Sequence, residues 1–213
     1  MKKTLLIALI GLTTATSSIF AQGQSLSFTG PANWTPGTSI TLQTNDTWGP
    51  NFGGSYGLSY WLQVNNALAP FLTITSLAYH NPFTDGNNIG TFPFSFNSTS
   101  GADAGFMTTT TANNQSGDLG ATSNPLVLVP DGTYADITDI TFALAAGAPG
   151  GTYTLRTTTA SPRGSIQVTS DFGDAAFPQA SFVFNVVPEP STLALLGLAA
   201  VGTGIVAYRR RNS

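Results

Sequence analysis

The chain has 213 residues, only 8% of them charged, with seven Lys and Arg against ten Asp and Glu. Between Gln22 and Val187 the imbalance sharpens: Arg156 and Arg163 stand against nine aspartates, and lysine does not occur after Lys3. No basic patch can be built from that set, which makes nucleic acid and anionic lipid poor partners for this stretch. Cysteine is absent and His80 is the single histidine, so thiol nucleophiles, cysteine metal sites and multi-histidine clusters are excluded as well.

Met1-Lys2-Lys3 is a basic start, Thr4 to Leu12 a short apolar run, and Thr13 to Ser18 a small polar stretch ahead of Ile19-Phe20-Ala21. That order predicts a secretory signal-peptide helix over residues 1–21, delivered to the Sec export machinery and cleaved after Ala21. Residues 22–187 then form one domain, long enough for a single core without disulfides.

Across that domain the period is two. Tyr56, Leu58, Tyr60, Leu62 and Val64 alternate with Gly57, Ser59, Trp61 and Gln63, which predicts one strand with an apolar face. Phe71 to Tyr79 is rich in β-branched and aromatic residues; Ile140, Phe142 and Leu144 alternate, as do Tyr153 with Leu155, and Phe182, Phe184 and Val186. Further strands are expected at Ser25–Thr29, Ser39–Thr44, Thr91–Phe96, Leu126–Val129 and Ile166–Thr169. Pro/Gly/Asn/Asp clusters such as Pro36-Gly37, Gly53-Gly54 and Pro130-Asp131-Gly132 separate them. About ten short strands punctuated in this way predict an all-β, antiparallel β-sandwich.

Part of the domain resembles the cohesin-like sandwich family. The residues that carry the likeness are Ser39-Ile40-Thr41-Leu42 after a glycine turn, the Tyr56–Val64 strand, and Ile137 to Leu144 leading into Ala148 to Leu155. The last pair reads as a strand, a tight turn and a returning strand. The resemblance implies a sandwich of cohesin-like or jelly-roll type, and a sandwich hosts many functions.

Ser98 to Asn124 is the least patterned stretch, with Phe106-Met107 its one apolar point, and is expected to be a loose polar loop. His80, in Leu77-Ala-Tyr-His-Asn-Pro82, has no Gly-x-Ser-x-Gly elbow for company and reads as a polar surface residue. Glycosidase chemistry needs two carboxylates of opposed pKa. Asp136 and Asp139 lie three apart, on opposite faces of a regular strand, so they do not supply the pair. No enzymatic activity is expected. Asp171 and Asp174 flank a Phe-Gly turn whose hard oxygen ligands suit calcium, and Asp85, Asn87 and Asn88 form a second such group. Turn chemistry alone also explains both groups, and no cofactor is required. Trp34, Trp48 and Trp61 crowd the first third of the chain; Trp48 and Trp61 are candidates for a flat platform that holds a sugar ring, with core packing the commoner role.

The tail has three parts in order: Val187-Pro188-Glu189-Pro190-Ser191-Thr192, an uncharged run from Leu193 to Tyr208, and Arg209-Arg210-Arg211. Both prolines push the preceding residue toward extended geometry, the form a protease-like cleft accepts. At about 1.5 Å per residue the run spans roughly 24 Å, which with Thr192 and snorkelling arginines predicts one transmembrane helix over 192–208. The arginines stay cytoplasmic and leave everything before Pro188 outside the inner membrane. This tail, residues 188–213, resembles the PEP-CTERM sorting signal of exported bacterial proteins. The resemblance implies cutting near Pro188-Glu189-Pro190 by a membrane-embedded exosortase and delivery to the cell envelope or extracellular matrix.

Two functions are therefore expected to compete. One is a structural or adhesive protein of the exopolysaccharide layer, anchored transiently through its C-terminal helix. The other is a carbohydrate-binding module that grips matrix polysaccharide through surface tryptophans.

Overall fold

Alternating burial along Ser39–Trp48 sets the architecture: Ile40, Leu42, Thr44, Asp46 and Trp48 point inward, and the residues between them outward. The computed structural model describes residues 23–49, 53–83, 92–98, 101, 104–108, 119–122, 127–159, 166–169, 173–176 and 178–187. Among them are thirteen strands. The first seven are β1 (Ser25–Thr29), β2 (Asn33–Trp34), β3 (Ser39–Trp48), β4 (Ser55–Ser59), β5 (Leu62–Val64), β6 (Leu72–Tyr79) and β7 (Phe94–Ser95). The rest are β8 (Ala121–Thr122), β9 (Gly132–Leu144), β10 (Gly151–Thr157), β11 (Ile166–Thr169), β12 (Gly173–Ala176) and β13 (Ser181–Val186). A single 3₁₀ turn, Ala69–Phe71, is the helix among the described residues. The fold is all-β.

One layer is a five-stranded sheet in the order β1-β3-β9-β6-β7. The facing layer has two four-stranded pieces, β2-β13-β10-β5 and β12-β11-β4-β8. The pieces are joined where β4 leads into β5. Thr158 N donates to Trp61 O (3.1 Å) and Leu119 N to Tyr60 O (2.8 Å) across the joint. Pairing is antiparallel except between β13 and β2, which run parallel.

Two expectations are corrected here and a third is borne out with a refinement. The single strand expected over Tyr56–Val64 is kinked at Tyr60-Trp61, where both side chains are buried and the two-residue period breaks. The Ile137–Leu144 and Ala148–Leu155 segments are indeed a strand, a turn and a return, but the return runs in the other layer. β9 pairs with β3 and β6, whereas β10 pairs with β13 and β5. The Ser98–Asn124 segment is not loose where it is described: Val64 N donates to Gly105 O (2.8 Å), Met107 N to Leu62 O (3.0 Å), and Met107 and Leu119 enter the core. Phe106-Met107, the expected apolar point, anchors it together with Leu119.

Aromatic rings fill the space between layers. Trp34 stacks on Phe184 at 3.7 Å and meets Phe142 of the opposite sheet at 5.6 Å, with its indole N–H donated to Pro31 O (2.8 Å). Trp48 stacks on Tyr134 at 4.5 Å and leans on Phe83 at 5.7 Å. Each such ring removes roughly 150–250 Å² from water, so these two clusters dominate the stabilising burial. Within the described residues no helix is long and apolar enough to cross a membrane. The signal segment 1–21 with Ala21, the expected span 192–208, Pro188, Glu189 and Pro190, and Arg209, Arg210 and Arg211 lie outside the described residues.

Candidate functional site on the outer face of the five-stranded sheet

Two β-bulges decide which side chains share this face. In β6 the register slips between Ile74 and Ser76 against β9. Leu72 and Ile74 point into the core before the slip; Leu77 and Tyr79 turn inward after it. His80 follows Tyr79 and therefore emerges on the outer face, and its amide extends the ladder by donating to Ile137 O (3.0 Å).

In β9 the slip lies opposite Asn45. Thr44 pairs with Thr138 and Asp46 with Tyr134, so Asn45 faces the three residues 135–137. Asp136 has φ +53°, the left-handed region that Asp tolerates better than most residues. Asn45 holds that turn: its Oδ1 accepts the Asp136 amide at 2.9 Å while its Nδ2 donates to Thr29 Oγ1 at 2.8 Å. On a regular strand Asp136 would follow Thr138 into the core; the bulge brings it out beside Asp139.

The result joins three side chains that the sequence reading kept apart. His80 Nε2 lies 3.1 Å from Asp139 Oδ2 and 3.9 Å from Asp136 Oδ1. One ligand-type atom from each residue falls within 4.8 Å of the others. The side chains are half-buried, at 42%, 41% and 30% exposure for His80, Asp136 and Asp139. Asp136 Oδ1 and Asp139 Oδ1 are nonetheless shut off from solvent and accept no hydrogen bond. An imidazole nitrogen between two carboxylates can hold a proton or coordinate a metal ion. The bulge in β9 overturns the expectation that Asp136 and Asp139 occupy opposite faces; His80 is a polar surface residue as expected, but one that meets both carboxylates. The one signal in the sequence for the second bulge was that Asp tolerates a left-handed backbone better than most residues; the facing Asn45 comes from the register alone.

Beneath this face lies a buried polar group. Tyr60 OH sits 3.3 Å from Thr138 Oγ1, which also shares a hydrogen bond with Thr44 Oγ1. Burial pushes the Tyr60 hydroxyl well above the ordinary tyrosine pKa, against the opposing pull of its bonds to Thr138 and Thr44. Asp46, 1% exposed, adds a smaller upward push from its negative charge.

The other candidate positions fare differently. Trp48 and Trp61 are 1% and 8% exposed and belong to the core, so neither presents a ring face to a sugar. The surface platform is corrected: Trp48 sits on the inward face of β3, and the kink after Tyr60 turns Trp61 inward too. Asp174 lies in β12 opposite Val168, in a strand rather than the expected loop. Asp171, Asp85, Asn87 and Asn88 lie outside the described residues.

Comparison with known proteins bears on both ends of this description. Residues 186–211 match the family model of the PEP-CTERM protein-sorting motif. A search of curated protein sequences returns no match. Among solved structures, the chain is similar to the cohesin module from the family 33 glycoside hydrolase of Clostridium perfringens ATCC13124. That likeness has a TM-score of 0.52 and 8% identity, over 79% of this chain and 99% of that one. It is also aligned with AvmM, which catalyzes macrocyclization in alchivemycin A biosynthesis (TM-score 0.39, 12% identity, 78% and 90% covered). A third structure is a DUF4466 family protein from Parabacteroides merdae ATCC 43184 (TM-score 0.35, 10% identity, 78% and 45% covered). The last two are too distant to carry an argument, and the first establishes the fold alone.

The chain is thus an all-β sandwich similar in fold to a cohesin module, with a sorting motif at residues 186–211. The chain carries a PEP-CTERM sorting motif, the signal of exosortase-dependent delivery to the envelope.

Proposed function

We propose that this protein is an exosortase-processed component of the extracellular matrix with a non-catalytic, structural or adhesive role in the exopolysaccharide layer. The observation that carries the reading is the sorting motif at residues 186–211. The geometry of the domain's end supports it. Val187 N donates to Trp34 O at 2.9 Å, so the hydrogen-bonded sandwich runs up to the residue before Pro188. The Pro-Glu-Pro segment therefore begins where the domain stops, and a cut there leaves every described strand intact. In this reading residues 1–21 direct Sec export, 192–208 anchor the precursor in the inner membrane, and Arg209 to Arg211 hold its end in the cytoplasm. The sandwich then meets the matrix through outward-facing Thr, Ser and Asn, because the tryptophans are occupied in the core.

The test is processing in an exosortase-bearing strain, followed by blotting precursor and mature forms in membrane and external fractions. Glu189→Ala is expected to leave uncut, membrane-bound precursor with its sandwich folded. Deleting Arg209 to Arg211 is expected to weaken membrane retention before any cut. If Glu189→Ala is cut and released like the wild type, the tripeptide is only a linker and the reading fails.

A further inference from the structure

We propose that His80, Asp136 and Asp139 form a binding site for a divalent first-row transition metal, with Zn²⁺ the best fit. The argument begins with the donors. One imidazole nitrogen and two carboxylates make a mixed set that suits zinc and its neighbours; calcium and magnesium prefer oxygen alone. The three residues come from two strands, the end of β6 and the bulge of β9, and converge because of two separate register slips. Tetrahedral ligands bonded at about 2.0–2.1 Å lie roughly 3.3 Å from each other. The His80 Nε2 distances of 3.1 Å to Asp139 and 3.9 Å to Asp136 bracket that spacing, so small side-chain rotations close the site.

A second observation points to a cation in particular. Asp136 Oδ1, the oxygen that faces His80 Nε2 at 3.9 Å, is closed to solvent and receives no donor, and so is Asp139 Oδ1, the companion of the Oδ2 that faces His80. A carboxylate oxygen removed from water without a partner is costly, and buried oxygens of this kind are ordinarily satisfied. His80 donates at most one hydrogen bond from Nε2, and that nitrogen is already within bonding distance of Asp139 Oδ2. A metal ion, unlike a proton, engages oxygens of both carboxylates together. Three protein ligands leave at least one position open, as in zinc sites that accept an outside ligand.

Asn45 supports the set from behind. Its bond to the Asp136 amide fixes the backbone that aims Asp136, and its other end is tied to Thr29. Metal affinity is sensitive to such orienting bonds, commonly by 10–100-fold.

Because His80 is the only histidine and cysteine is absent, the readout is unambiguous. The tag-free full-length chain, in mild detergent and stripped with chelator, is titrated with ZnCl₂ and separately with CaCl₂. The expected result is one Zn²⁺ per chain, a shift of the single imidazole ¹⁵N pair on binding, and a Tm raised by roughly 5–10 °C at 100-fold excess over Kd. His80→Gln and the isosteric Asp139→Asn are each expected to weaken Zn²⁺ binding at least tenfold, with Ca²⁺ bound more weakly throughout. The proposal is overturned if Zn²⁺ leaves the imidazole signals unmoved, if both variants bind Zn²⁺ as the wild type does, or if Ca²⁺ binds more tightly. The imidazole measurement uses the wild type alone, so it decides the matter even where a variant does not fold.

Discussion

Asn45 Oδ1 accepts the backbone amide of Asp136 at 2.9 Å, across a register slip that sets one residue of β3 against three of β9. That single side chain converts an irregular segment into a defined left-handed turn, and it does so from the outer face of the sheet. Asn45→Ala removes both this bond and the one to Thr29, leaving the Asp136 N–H without its acceptor. A loss of about 1–2 kcal/mol in urea denaturation is expected. The imidazole resonances of His80 are expected to shift at the same time, because Asp136 is released. Unchanged resonances would mean that the turn holds itself.

Tyr60 makes alkaline stability a test of the interior. Its folded pKa is raised, by burial above all, so the native state keeps the hydroxyl proton where the unfolded chain has released it. The stabilisation is complete below the ordinary tyrosine value near 10 and is lost as pH rises past it, by up to about 1.4 kcal/mol per pH unit. Tyr60→Phe is expected to change stability at pH 7 by less than about 1.5 kcal/mol, since Thr44 and Thr138 still bond each other. It is also expected to flatten the decline above pH 10. Parallel wild-type and variant curves in urea titrations at pH 9 to 11 would show that the hydroxyl is not held neutral.

Substitution of the tryptophans reads the core. Trp34 is fully buried and touches Phe142, Phe182 and Phe184. Trp34→Ala and Trp48→Ala are each expected to cost about 3–5 kcal/mol in thermal or urea melts. Any polysaccharide binding lost in the Trp48 variant should then track the unfolded fraction. Binding lost while the variant remains fully folded would return the indole to the surface.

Gly105 tests whether the polar segment after Ser98 is part of the sandwich. It adopts φ +76°, and a Cβ there would lie 2.0 Å from the carbonyl oxygen of Val64. Gly105→Ala is expected to cost at least about 2 kcal/mol, combining a left-handed backbone with a backbone collision. Gly101, at φ +116° with nothing within 4 Å of its Cβ position, isolates the first contribution. Equal urea midpoints for the two alanine variants would mean that the 104–108 segment yields freely.

Period-two patterning was enough to read an all-β sandwich from the amino acids, because burial on one face of a strand is a local property of alternating residues. Ser25–Thr29 and Ile166–Thr169 are strands at the residues expected, and the core positions of Ile140, Phe142, Leu144 and Phe184 follow directly. The sorting tail was equally legible, since prolines, an uncharged run and clustered arginines act through composition and order. What tertiary structure decided is every feature that depends on parity. One extra residue, as in β6, reverses which side chains face out, whereas the two extra residues of β9 keep the parity on either side and turn Asp136 out between them. Asn45 of β3 holds Asp136 outside, a slip in β6 turns His80 outward, and a kink buries Tyr60 and Trp61 together. None of these partners is near in sequence to the residue it repositions: Asn45 and Asp136 are 91 residues apart, and His80 and Asp139 are 59 apart. The site exists because distant strands disagree in register at the same place.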